Sequence, residues 1–136
     1  MADLSALDFS ETAEQGAKLV LRDPISNEVL TDDAGNEQFI IFRGKDSITY
    51  QKTVNKITNA KFEKANRTRR LIGTAEESLN EEIELLAQAA ISWNVFIGGQ
   101  KPECNVAEVR KLLTKLPPIR EQAQAFVDNR ANFLKS

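Results

Sequence analysis

The 136-residue chain contains no histidine and one cysteine, Cys104. Histidine is the commonest general base and the commonest metal ligand. Without it, Cys104 has no imidazole to activate it and no companions to complete a zinc site. Serine and threonine are plentiful, but they cannot form a hydrolase triad without histidine. No motif marks a lysine-based variant. Asp32 and Asp33 would serve paired acid–base chemistry only in a cleft that splits their pKa values. In "TDDAGNE" they read as turn residues, because short acidic side chains bond the backbone of tight turns. The same stretch lacks the ligand spacing and closing glutamate of a calcium loop. "GGQKPE" lacks the Gly-Lys-Ser/Thr ending of a phosphate loop, and the pattern places no strand before it. The expectation is a non-enzymatic protein with no catalytic residue, no cofactor and no metal.

Binding is the remaining chemistry. "KFEKANRTRR" gathers Lys61, Lys64, Arg67, Arg69 and Arg70, the kind of cluster that phosphate contacts require. Five glutamates follow between residues 76 and 84, and the chain carries a net charge of −2. Neither an RNA-binding aromatic motif nor a zinc finger accompanies the cluster. Nucleic acid is therefore the lesser expectation, and a solvated or protein-facing patch the greater. Charge is distributed in blocks: residues 1–42 hold Lys18 and Arg22 against nine acids, a net of −7, and residues 43–70 have a net of +7. Such blocks predict pairing within the molecule or between copies, so a homo-oligomer whose association weakens in salt is expected. A single cysteine excludes an internal disulfide and suits a reducing cytoplasm. No apolar run approaches the roughly 18 residues of a membrane helix. The acidic start "MADLSALDFSETAEQG" lacks the basic-then-apolar pattern of a secretory signal.

The elements that must carry any site follow from periodicity. Residues 1–14 are expected to be a flexible acidic arm, with Leu4, Leu7 and Phe9 available to a partner. Residues 15–136 are expected to form a single domain: a β-hairpin over 15–44 and a helical region over 46–135. "GAKLVLRD" alternates as a strand, with Leu19 and Leu21 on one face. Turns follow at "DPISNE" and "TDDAGNE", and "QFIIFRG" is a second strand. Asp46 is read as the N-cap of a first long helix bearing Ile48, Tyr50, Val54, Ile57 and Phe62. Thr74 and Glu77 suggest a capping box for a second helix, which ends near Trp93. Asn105 caps a short third helix, and Pro117 and Pro118 open the last. The fold class is α+β, a small N-terminal β-hairpin or meander followed by four helices. The expected core is Leu19, Leu21, Ile40, Ile57, Ile83, Leu86, Ala90, Trp93, Val109, Leu113 and Phe126.

The closing stretch "IREQAQAFVDNRANFLKS" keeps an apolar face almost to its end. Termini usually fray and turn polar. Phe126, Val127, Arg130, Phe133 and Leu134 are therefore the expected partner-binding residues, meeting a second copy or a client helix. Changing Phe133 and Leu134 together to serine should leave the chain folded on this view.

The order of these stretches resembles the tail assembly chaperones of long-tailed bacteriophages and prophages. Arg22-Asp23-Pro24, the acidic turn of Asp32, Asp33 and Gly35, and Gly44 with Asp46-Ser47 carry the first half. Trp93, an Asn105-capped helix, the Ile119-Arg120-Glu121-Gln122 start and the Arg130–Leu134 end carry the second. The resemblance spans roughly residues 16–134, although residues 51–80 carry no matching signature. Val95 and Phe96 stand where the family has smaller or acidic residues. The resemblance implies a non-enzymatic protein of the host cell cytoplasm that binds the long helical tape measure protein. It would help the major tail protein polymerise around that client and be absent from the virion. A structural tail completion or terminator protein is the alternative, with a small nucleic-acid-binding regulator behind it.

Overall fold

A computed structural model describes residues 3–68 and 75–134. Arg69, Arg70, Gly73, Lys135 and the capping box expected at Thr74 lie outside them. Among the described residues the elements run α1 (Ser10–Gln15), β1 (Ala17–Val20), β2 (Phe39–Phe42), α2 (Ile48–Thr68), α3 (Ala75–Ala89), β3 (Ala90–Asn94), α4 (Val106–Lys115) and α5 (Pro117–Asp128). Short 3-10 turns over Leu4–Leu7 and Arg130–Phe133 flank them. The class is α+β, with helices and an antiparallel sheet in one chain.

Two expectations about element number change. There are five α-helices among the described residues, not four, because α1 precedes the sheet. The hairpin is a three-stranded sheet in the order β1-β2-β3. The second helix stops at Ala89, and Ala90–Asn94 pairs antiparallel with β2. Strand β3 satisfies the backbone edge of β2 that a two-stranded hairpin would have left open. Its register, Ile40 opposite Trp93 and Ile41 opposite Ser92, shifts by one residue between Ile41 and Phe42.

Alternation divides the sheet into two faces. Leu19, Ile40, Phe42 and Trp93 point into one core with Ile83, Leu86, Val109, Leu113, Ala123 and Val127 from the helices. Among the expected core residues, Ile57, Ala90 and Phe126 are only half-buried, at its margin. Trp93 is a core aromatic whose Nε1–H donates to the Pro102 carbonyl at 2.9 Å, so its one polar atom is satisfied. Gln122 ties α5 to the strand side: its Oε1 accepts from the Arg22 N–H at 2.9 Å and its Nε2 donates to the Arg22 carbonyl at 2.7 Å.

The N-terminal segment is structured where a flexible arm was expected. Asp3 and Asp8 accept backbone N–H groups of Ser5 and Ser10, which fixes each following turn. Ala13 is buried, and its carbonyl accepts from the Gly44 N–H. Glu14 accepts from the Thr49 N–H and hydroxyl at 2.9 and 2.7 Å, and the Arg43 guanidinium lies 2.8 Å away.

That anchoring has a pH signature. Burial pushes the Glu14 carboxyl up, but the Thr49 hydrogen bonds and the Arg43 charge outweigh it and hold the carboxyl below its ordinary value. Asp32 is likewise held low, first by the Asn94 side chain and then by the Asn36 backbone. Depressed carboxylates contribute stability that is present above their unfolded pKa and lost as pH falls through the native value. Urea midpoints should therefore be level from about pH 7 to pH 5 and fall below about pH 4. Glu14→Gln should make that acid slope shallower; an unaltered slope would contradict the anchoring role.

Candidate docking surfaces

The closing segment does not present the expected stripe. Helix α5 ends at Asp128, and Arg130–Phe133 continues as a 3-10 turn that folds back on the chain. Val127 is fully buried, and Phe126 is half-buried against the core. Phe133 is 5% exposed, and its ring meets Phe126 edge-on at 5.5 Å between centroids. Leu134, at 50% exposed, is the one apolar member open to solvent. Four residues expected to bind a partner are thus held by the chain itself: three are wholly or partly buried, and Arg130 has an internal ion-pair partner.

Arg130 and Phe133 are the fixings of an internal joint. Arg130 grips Asp46 with Nε to Oδ2 at 2.6 Å and Nη2 to Oδ1 at 3.1 Å. Asp46 is therefore not the cap of α2. Ser47 is: its hydroxyl accepts from the Tyr50 N–H at 3.0 Å, and it is completely buried. Phe133 lies over Gly44, where an added Cβ would come within 2.9 Å of the ring and 3.2 Å of the Ala13 methyl. Gly44 is thus required by close packing. The stretches 44–47 and 130–133, with α1, form one unit across a gap of 84 positions.

The basic and acidic blocks partly meet inside the molecule. Lys61 pairs with Glu81 at 3.1 Å and Lys64 with Glu77 at 3.2 Å, linking α2 to α3. These two pairs are the within-molecule form of the expected pairing. Of the residues expected on the buried stripe of α2, Ile48 and Phe62 are exposed, at 56% and 60%. At 3.6 residues per turn they lie on the face turned away from Tyr50, Val54 and Ile57.

A further open apolar surface is the outer face of the sheet. Val20, Phe39 and Ile41 are half-buried there and Ile91 is exposed beside them. Phe39 lies opposite Val20, and Ile91 packs toward Ile41 over Gly16. Gly16 has φ +86, and a Cβ on it would fall 2.6 Å from the Ile91 side chain. A shallow cleft of about 480 Å³ borders this face, lined by Lys18, Asp32, Glu37, Phe39, Asn94 and Lys101. The Lys18 ammonium sits 4.6 Å from the Phe39 ring centroid. Both charge signs edge the cleft, and its floor is aromatic.

The sequence carries two signals for this face. "QFIIFRG" is apolar at successive positions, which signals a strand with apolar groups on both faces. A second signal is "ISWNVFIGG", where β-formers lead into a Gly-Gly turn. Gly98 and Gly99 take φ +58 and +80, and Ile97 and Gln100 exchange backbone hydrogen bonds across them. A strand therefore does precede "GGQKPE", but the glycines close a tight turn instead of wrapping an anion. Cys104 is half-buried, and burial pushes its thiol above the ordinary value, opposite to an activated nucleophile. No group of acidic and cysteine side chains suited to a metal ion occurs among the described residues, and no described helix is long and apolar enough to cross a membrane.

Comparisons with protein-family models, curated proteins and solved structures returned no match for this chain.

Proposed function

We propose that this chain is a tail assembly chaperone of a long-tailed bacteriophage or prophage. It holds the helical tape measure protein in the host cytoplasm and helps major tail protein subunits polymerise around it. The observation that carries this reading is the joint at Asp46 and Arg130. Two of the stretches that carry the resemblance, Gly44–Ser47 in its first half and Arg130–Leu134 in its second, are far apart in sequence and meet in space. Residues matched separately thus work as one unit, which supports treating the resemblance as a property of the whole chain.

The client surface in this reading is the outer face of the sheet. An amphipathic helix laid across Val20, Phe39, Ile41 and Ile91 would cover apolar groups that nothing in the chain covers fully. Burying a few hundred Å² there is worth about 5–10 kcal/mol before costs. Lost rigid-body freedom and side-chain ordering take back much of that. The balance favours reversible binding, as a chaperone that must leave its client requires.

Co-expression with the tape measure protein tests the proposal. The wild-type chain should keep that protein soluble and co-purify with it. Ile91→Lys, at an exposed position, should fold normally and capture at least about tenfold less. Purified particles should lack the chain. An insoluble client despite the chaperone would contradict the proposal, as would stoichiometric chain in finished particles, which would point to a structural tail protein.

A further inference from the structure

We infer that residues 3–8 of one copy dock on the outer face of α2 in a second copy, centred on Phe62. The first observation is the segment itself. Its turn is fixed by Asp3, which accepts from the Ser5 N–H at 2.9 Å and hydroxyl at 2.8 Å. Asp8 repeats the arrangement with Ser10. Yet all six residues are exposed, with Leu4 at 77% and Leu7 at 64%. In a 3-10 turn, side chains three apart eclipse, so the two leucines share a side. The chain thus pre-shapes a pair of leucines bracketed by carboxylates and gives them nothing to pack on.

The second observation is the receiving face. Phe62 is 60% exposed on a strip of α2 that also bears Gln51, Asn55 and Asn66, all uncharged. Lys52, Lys56 and Arg67 run alongside with Glu63 between them, three cations to one acid, and none of the three has a carboxylate partner among the described residues. An apolar centre beside unpaired cations matches a leucine pair bracketed by Asp3 and Asp8 in both hydrophobicity and charge sign. The occupant is a second copy because the chain's own segment is anchored elsewhere. Helix α1 is held at Thr49 through Glu14, and Phe62 lies thirteen residues further along α2, about 20 Å at 1.5 Å per residue. Donor and acceptor surfaces differ, so the contact either closes reciprocally in a two-fold dimer or repeats head-to-tail into a ring or an open chain of copies. It does not depend on the tail assembly role, since it requires no client.

Two variants separate the halves of the contact. Leu4→Ser with Leu7→Ser removes the donor, and Phe62→Ser removes the acceptor. All three positions are exposed, and circular dichroism should show unchanged folding. By sedimentation equilibrium the wild type should associate with concentration, less so at about 1 M salt. Each variant alone should self-associate at least about tenfold more weakly. Mixed together they should form a one-to-one complex and nothing larger, because one intact donor meets one intact acceptor. A wild type that stays monomeric at 100-fold varied concentration would overturn the inference. So would a Phe62→Ser chain that associates normally, which would mean that the leucines meet each other. Failure of client capture with this pattern intact would count against the chaperone role only.

Discussion

Phe133→Ala is expected to lower stability by about 3–5 kcal/mol, the range for removing a buried aromatic ring. The position invites the opposite expectation, since it stands three residues from the end of the chain. Burial decides the matter. The ring is 5% exposed, meets Phe126 at an interplanar angle of 68°, and fills the space that Gly44 leaves open. Its loss would open a cavity between α1, α5 and the loop before α2. Leu134→Ser, one residue on, should cost less than about 0.5 kcal/mol, as for a surface change. Chemical denaturation of the two single variants reads this contrast directly. Equal small effects would mean that the 3-10 turn peels away and that its residues are free for a partner after all. The double serine change at 133 and 134 is accordingly expected to destabilise the fold through Phe133.

Leu86→Ala should cost about 2–5 kcal/mol. Leu86 is fully buried on α3, within the core shared by the sheet and by α4 and α5. Helix α3 runs straight into β3 at Ala89–Ala90, and the Arg43 N–H donates to the Ala89 carbonyl at 2.8 Å. A cavity on α3 is therefore transmitted to the strand that follows it, with no loop to absorb the shift. Loss at the upper end of the range is expected, together with weaker near-ultraviolet dichroism from Trp93. A cost below about half a kcal/mol would show that α3 presents another face to the core.

The sequence made the inner faces legible because their periods are regular. Leu19 and Leu21, then Ile83 and Leu86, then Val109 and Leu113 all fall inside as their spacing requires. The turns at Asp23 and Asp32 were legible for a local reason: each carboxylate accepts backbone N–H groups within four residues. Strand β3 was hidden because Ala90 and Ile91 continue the apolar stripe of α3 without a breaker. Only pairing with β2, a long-range event, converts them to strand. The C-terminal residues misled because periodicity records an apolar face but not what covers it. Phe133 is covered by Gly44 and Phe126, with Arg130 reaching Asp46 beside them across 84 positions. The open sheet face is legible in the run Phe39–Phe42, which is apolar at every position and so presents apolar groups on both faces of the strand.

Methyl-resolved NMR of the chain with and without the tape measure protein tests the central claim most directly. Shifts should concentrate at the methyl groups of Val20, Ile41 and Ile91, with Ile119 and Val127 undisturbed in the core. Saturating client that moves none of the three sheet-face methyls, or that moves Leu134 and its neighbours instead, would contradict that claim.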